Sequence, residues 1–173
     1  LGLNIWVGPS LIPKSHPLAT VKGVNNALLI EADPLGEIML YGPGAGSGPT
    51  AASVVSDILN LHAASVKNNN SIDPLLSFYF WRNCHIIESS QINKKNYLRI
   101  ICLDSPGVIG KIGDIFGKNN VSIESIVQLD ASEDKAEIVV ITHEVNNGDF
   151  ERSKDEINSL NEVKIIASQL SCI

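Results

Sequence analysis

Two short stretches hold residue types and spacings that could do chemistry. The first, YGPGAGSGPTAASVVSDI at 41–58, packs four glycines and two prolines directly before a clean helical pattern. Glycine weakens any element it occupies and proline removes a backbone donor. A cluster this dense therefore marks a loop that must bend sharply or let another group come close. The second, LDSPGVIGKIGDIF at 103–116, sets an acid, a serine and a proline–glycine pair at the mouth of another helix. A helix N-terminus presents unpaired N–H groups and the positive end of a dipole, so it favours an anion such as a carboxylate.

Three readings compete for the first stretch. A phosphate-cradling P-loop needs GK[ST] after the glycines, and the loop contains no lysine. A dinucleotide fingerprint fits Gly46-Ser47-Gly48-Pro49-Thr50-Ala51 as GxGxxA by letter. That unit also needs a second parallel strand after the helix and an acid at its end, whereas this helix runs into NNNSIDP. The third reading keeps the physics without the motif: a glycine loop before a helix, capped by Ser47 or Thr50, exposes N–H groups that a dinucleotide can approach. A tight strand-to-helix connection with no ligand is the plain alternative.

The remaining chemistry is scattered. Cys84, Cys102 and Cys172 form no CxxC pair, which suits a reducing compartment, the cytoplasm, better than a disulfide scaffold or a zinc site. The four histidines are dispersed, so no metal is expected. Histidine is a residue type suited to acid–base work, but His16 stands before an apolar run, where a structural role outweighs an acid–base one. A net charge of −6 without any basic run argues against nucleic acid as a partner. No apolar stretch approaches the ~20 residues of a membrane span. The opening LGLNIWVG lacks an initiator Met, a basic n-region and a cleavage site, and reads as mid-domain sequence.

The elements that must position these stretches fall into two halves. In the first, LNIWV, NALLIEA and EIMLYG read as strands, the last two joined by the DPLG turn, with a helix from Thr50. This half has no second layer of its own. Residues 67–95 read as a polar, turn-rich joint with an aromatic centre at Phe78, Phe80 and Trp81, or equally as an ordinary strand plus loop. In the second half, YLRIICL reads as a strand. PGVIGKIGDIFGKNN then carries Val108, Ile109, Ile112, Ile115 and Phe116 on one helical face, with Pro106 in the first turn. VSIESIVQLD alternates Val121, Ile123, Val127 and Leu129, AEIVVITHE pairs with it through DASEDK, a polar helix follows, and VKIIASQL closes. The order is βαββαβ, the split arrangement of a ferredoxin-like sandwich.

HPLATVKGVNNALLIEADPLGEIMLYGPGAGSGPTAASVVSDI resembles the end of the catalytic region of homoserine dehydrogenase, carried by His16-Pro17-Leu18-Ala19, Gly23, Asn26-Ala27, Gly36-Glu37 and the run Tyr41 to Asp57. LRIICLDSPGVIGKIGDIFGKNNVSIESIVQ resembles an ACT domain, the amino-acid-sensing module that many members carry at the C-terminus. The resemblance implies an α+β chain in three parts: 1–66 the end of the catalytic domain with a helix returning to the nucleotide-binding domain, 67–95 a joint, and 96–173 the ACT domain. It implies NAD- or NADP-dependent interconversion of L-aspartate 4-semialdehyde and L-homoserine. The nucleotide-binding fold and the proton-moving residues lie outside this sequence, so the chain alone is expected to be inactive.

By position, the resemblance puts Gly44, Ala45 and Gly46 near the cofactor, with Gly46 closest, and predicts that Gly46→Val blocks cofactor use with the fold intact. It puts an amino-acid effector, with threonine the expected one, at Asp104, Pro106, Gly107 and Val108, with Ser122 as a further contact. Asp104 would take the ammonium. Cys102 stands where one ACT branch has a histidine, a departure that bears on effector identity. The family pattern implies a homo-oligomer, at least a dimer. The competing reading is a stand-alone ACT-type regulatory or dimerisation protein without catalysis.

Overall fold

The computed structural model describes residues 2–66, 83–132 and 135–173. In chain order the elements are β1 (Gly2–Leu3), β2 (Ser10–Leu11), β3 (Asn25–Ala32), β4 (Gly36–Pro43), α1 (Ser47–Val66), β5 (His85–Ile86), β6 (Asn93–Leu103), α2 (Val108–Lys118), β7 (Ile123–Ser132), β8 (Lys135–Thr142), β9 (Val145–Asn146), α3 (Asn147–Asn158) and β10 (Val163–Cys172). They divide into two compact units. One joins the segment up to Ile12 to Cys84–Ile173, and the other is Pro13–Asn83. The stretch expected as one piece at 1–66 is therefore shared between them. The aromatic centre of the joint, Phe78, Phe80 and Trp81, lies outside the described residues.

The larger unit is the expected sandwich. Its sheet runs in the order β2-β10-β6-β8-β7, and β10, β6, β8 and β7 pair antiparallel. Alternate residues of β6 and β8 (Leu98, Ile100, Cys102, Ala136, Ile138 and Val140) are buried on one face. Against them pack Ile112, Ile115 and Phe116 of α2 and Phe150 and Ile157 of α3. Phe116 and Phe150 stack across the two helices with ring centroids 6.4 Å apart. Each buried aromatic or aliphatic side chain of this size contributes about 1.5–3 kcal/mol by leaving water.

Three local details differ from the sequence reading, each for a physical reason. Ile109 is 38% exposed, because the buried face of α2 is set by Val108, Ile112, Ile115 and Phe116. Register shifts on β7 between Ile123 and Ser125 break the alternation, so Ile126 rather than Val127 packs on the core. One extra residue turns every later side chain to the other face. LNIWV is strand only at its first residue: β1 pairs parallel with β5, while Ile5, Trp6 and Val7 are exposed and unpaired. The sequence pattern also hides a fifth strand of this order, since β2 adds parallel to the outer edge of β10.

The smaller unit is a β3–β4 hairpin, registered from Asn25–Pro43 to Ala32–Gly36, followed by α1. Among the described residues, none of the buried apolar side chains belongs to it, and Leu28, Leu40 and Ile58 are all more than half exposed. An amphipathic hairpin and helix with bare apolar faces are layers awaiting a partner layer.

Candidate functional site

The second stretch builds a concave turn. β6 ends at Leu103, whose N–H donates to the Glu162 carbonyl (2.8 Å) and pins the strand end to the start of β10. The chain then turns through Asp104–Pro106 to Gly107, which caps α2 with φ +91°. That angle suits glycine alone. Pro106 thus lies before the cap, in the turn, rather than in the first helical turn. The Val108 N–H donates back to Ser105 (3.4 Å) and the Gly107 carbonyl accepts from Lys111 (3.0 Å). The N–H groups of Ile109 and Gly110 belong to the first helical turn, where no intrahelical partner exists.

A concavity of about 450 Å³ opens here, bounded by the Asp104–Gly110 turn and by Gln128 of β7. Asp104 is exposed, and its Oδ1 accepts from Gln128 Nε2 at 3.0 Å. Donors at the helix mouth and a carboxylate at the strand end face one small volume. That is the arrangement a zwitterionic amino acid requires, its carboxylate at the N–H groups and its ammonium at the acid. Lys111 and Glu162 form an ion pair (2.5 Å) at the same end of the sheet, and the Glu162 carboxyl is held below its usual range chiefly by that hydrogen bond.

The structure brings together Asp104, Pro106, Gly107 and Val108, but not Ser122. Ser122 stands before β7, and its carbonyl accepts from His143 N–H (2.9 Å) at the far end of β8. Six residues of extended chain, roughly 20 Å, separate it from Gln128. A site within one copy therefore excludes Ser122. Gln128 is the residue that sequence reasoning missed; only the shifted register of β7 turns it to the helix side. Cys102 is buried, its thiol donating to the Ala136 carbonyl (3.7 Å), and burial followed by the Asp104 charge pushes its pKa up. It belongs to the core.

The glycine stretch leaves the β3–β4 hairpin exposed throughout 43–48. Its glycines have separate reasons. A Cβ on Gly44 would run into the Asn26 side chain, so that glycine answers to packing. Gly46 has φ +128°, and its carbonyl accepts from Thr50 N–H (3.1 Å). It therefore occupies the cap position of α1, which starts at Ser47 rather than Thr50, and neither Ser47 nor Thr50 caps the helix. Gly46→Val would strain this cap, so that variant would weaken α1 as well as obstruct a cofactor. For a dinucleotide the loop offers an accessible surface, the N–H groups of Ser47 and Gly48, and no side chain at 46. Pro49 withholds a third donor. These features fit a passing contact with a cofactor held elsewhere. His16 has a local task, its Nδ1 accepting from Leu18 N–H (3.2 Å) to cap the turn Pro17–Thr20.

A four-stranded antiparallel sheet under two helices, with a glycine turn open at the mouth of the first, defines an ACT domain, and the ACT domain family model matches residues 96–162. The family model for homoserine dehydrogenase matches residues 2–59. The chain belongs to the homoserine dehydrogenase family and corresponds to the C-terminal part of its members. It is 46% identical to the homoserine dehydrogenase of Synechocystis over 96% of its own length and 39% of that protein. To the homoserine dehydrogenase of Bacillus subtilis it is 35% identical, over 95% of the chain and 37% of that protein. The crystal structure of a homoserine dehydrogenase from Thiobacillus denitrificans superposes with a TM-score of 0.89 at 28% identity, covering 99% of this chain and 39% of that one. The chain thus spans about two fifths of the length of the relatives it matches. A stand-alone ACT protein would not explain the match across 2–59.

Proposed function

We propose that this chain is the regulatory end of a homoserine dehydrogenase, an enzyme that interconverts L-aspartate 4-semialdehyde and L-homoserine with NAD or NADP in the cytoplasm. The open turn between β6 and α2 carries the reading: exposed Asp104 opposite the donors of α2 is a receptor for a small amino acid. Threonine is the effector we assign, with Asp104 on its ammonium and the Val108–Gly110 backbone at its carboxylate. The assembly is a homo-oligomer, at least a dimer. In the longer protein the loop at Gly44, Ala45 and Gly46 passes beside the nicotinamide dinucleotide, whose hydride chemistry the other domains supply. Alone, the 173 residues do not catalyse the reaction.

The test uses the longer enzyme. Asp104→Asn should abolish threonine inhibition with kcat preserved; full inhibition in that variant would remove the effector role. Ala45→Phe, at an exposed position without a positive φ, should raise KM for the dinucleotide at least about tenfold, since bulk there obstructs the approach hydride transfer requires. Unchanged kinetics would remove the cofactor contact.

A further inference from the structure

Strand β10 is built differently from its neighbours in the sheet. β6 and β8 bury alternate side chains completely, which specifies their register strongly. β10 buries none completely: Val163 and Ile166 pack on the core, and both keep some exposure. It skips register against β6 twice, between Val163 and Ile165 and again between Ile166 and Ser168. Its ends, in contrast, are tied. Just before the strand, Glu162 holds both walls of the effector turn. Its carbonyl accepts from Leu103 N–H (2.8 Å) and its carboxylate from Lys111 Nζ (2.5 Å). At the other end Ser171 and Cys172 pair with Ser10 and Leu11, and Ile173 N–H donates to the Leu11 carbonyl (2.9 Å). Leu11 stands two residues before Pro13, where the smaller unit begins.

We propose that β10 carries the effector's signal from the turn at Asp104–Gly110 to the segment that enters the smaller unit. The proposal rests on the amino-acid receptor assigned above and gives that receptor an output. A ligand shifts an equilibrium only through unequal contacts with two arrangements of its site. Here the contacts are with the two walls that Glu162 clasps, the end of β6 and the first turn of α2. Drawing those walls together moves Glu162, and with it the start of β10. β10 can follow because no fully buried side chain holds it and its bulges already loosen its register. β6 and β8 cannot follow without breaking a close-packed core. At the far end of the 10-residue strand, roughly 30 Å away at strand rise, the same movement displaces Ser10 and Leu11. Glu162 is the input of this strap, and the bond from Ile173 to Leu11 is its output.

The experiment uses threonine as its probe, with binding measured on the 173-residue chain and inhibition on the longer enzyme. Ile173→Pro removes the N–H donated to Leu11, at an exposed position. It should leave the chain's Kd for threonine within about twofold, and the uninhibited kcat and KM unchanged. Inhibition at saturating threonine should fall below about half its wild-type extent, because a coupling of the usual ~5–150-fold is then cut. Lys111→Met, at the other end of the strap, should lose inhibition too. The exchange of Lys111→Glu with Glu162→Lys should restore it, which a merely structural pair would not do. Unchanged circular dichroism confirms the fold of each variant. A wild-type chain that binds no threonine overturns the receptor itself. If it binds, variants inhibited as fully as wild type overturn β10 as the route and leave the receptor standing. Inhibition lost only in proportion to threonine affinity overturns the route as well, since the damage is then in the site. An exchange pair that stays uninhibited overturns the input assigned to Glu162.

Discussion

Gly107 and Gly110 stand three residues apart at the mouth of α2, and the same substitution should move stability in opposite directions at the two. Gly107 holds φ +91°, and a Cβ built there meets nothing within 4 Å. The cost of Gly107→Ala is therefore conformational rather than steric, about 1–2 kcal/mol for forcing an L-residue into left-handed backbone. Alanine is also a poorer cap than glycine, which adds up to about 1 kcal/mol. Gly110 lies inside the helix with open space around its Cβ position. There Gly110→Ala gains about 0.8–1 kcal/mol of helix propensity. The two variants should differ by about 3 kcal/mol, with melting points displaced by about 4–8 °C per kcal/mol for a domain of this size. Chemical and thermal unfolding followed by far-ultraviolet circular dichroism reads both. A Gly107→Ala protein as stable as wild type, or two variants shifting the same way, would refute the geometry assigned to the turn.

Other consequences can be measured as simply. Phe116→Ala removes a fully buried ring from the contact with Phe150 and should cost about 3–5 kcal/mol in denaturant unfolding; a loss below ~1 kcal/mol would contradict the core described. Burial pushes the Glu151 carboxyl up, but hydrogen bonds from Lys154 and Gln169 outweigh it and hold the carboxyl below the ordinary glutamate range. A depressed value in the folded state gives stability that is complete above the usual ~4.3 and is lost as pH falls through the folded value. The stability gap between wild type and Glu151→Gln should therefore close on acidification, and a gap independent of pH would count against it. Exposed Cys84 should react with iodoacetamide in the native protein, whereas buried Cys102, its thiol pKa raised, should react only on unfolding. Equal labelling rates would contradict that burial.

The sandwich was legible because its elements carry clean periods. YLRIICL alternates into a core, and Val108, Ile112, Ile115 and Phe116 recur on a helical face, so β6 and α2 could be drawn from residue types alone. What could not be read was non-local. The register shifts on β7 exchange Val127 for Ile126 in the core and turn Gln128 toward Asp104, and a single strand read by period two cannot show where its partner skips. The pairing of Ser10–Leu11 with β10 joins residues more than 150 positions apart, beyond any local pattern. Ser122 was placed by analogy of position along the chain, and strand direction carries it to the opposite end of the sheet. At the glycine loop the residue types were read correctly and the cause only in part: Gly46 serves the cap of α1, and Gly44 makes room for Asn26.

Isothermal calorimetry on the chain, with threonine, serine, isoleucine and methionine titrated in turn, bears most directly on the effector turn. Saturable heat with threonine, weakened at least about tenfold by Asp104→Asn, is the predicted result. Silence with all four amino acids, or threonine heat that Asp104→Asn leaves untouched, would contradict a receptor between β6 and α2.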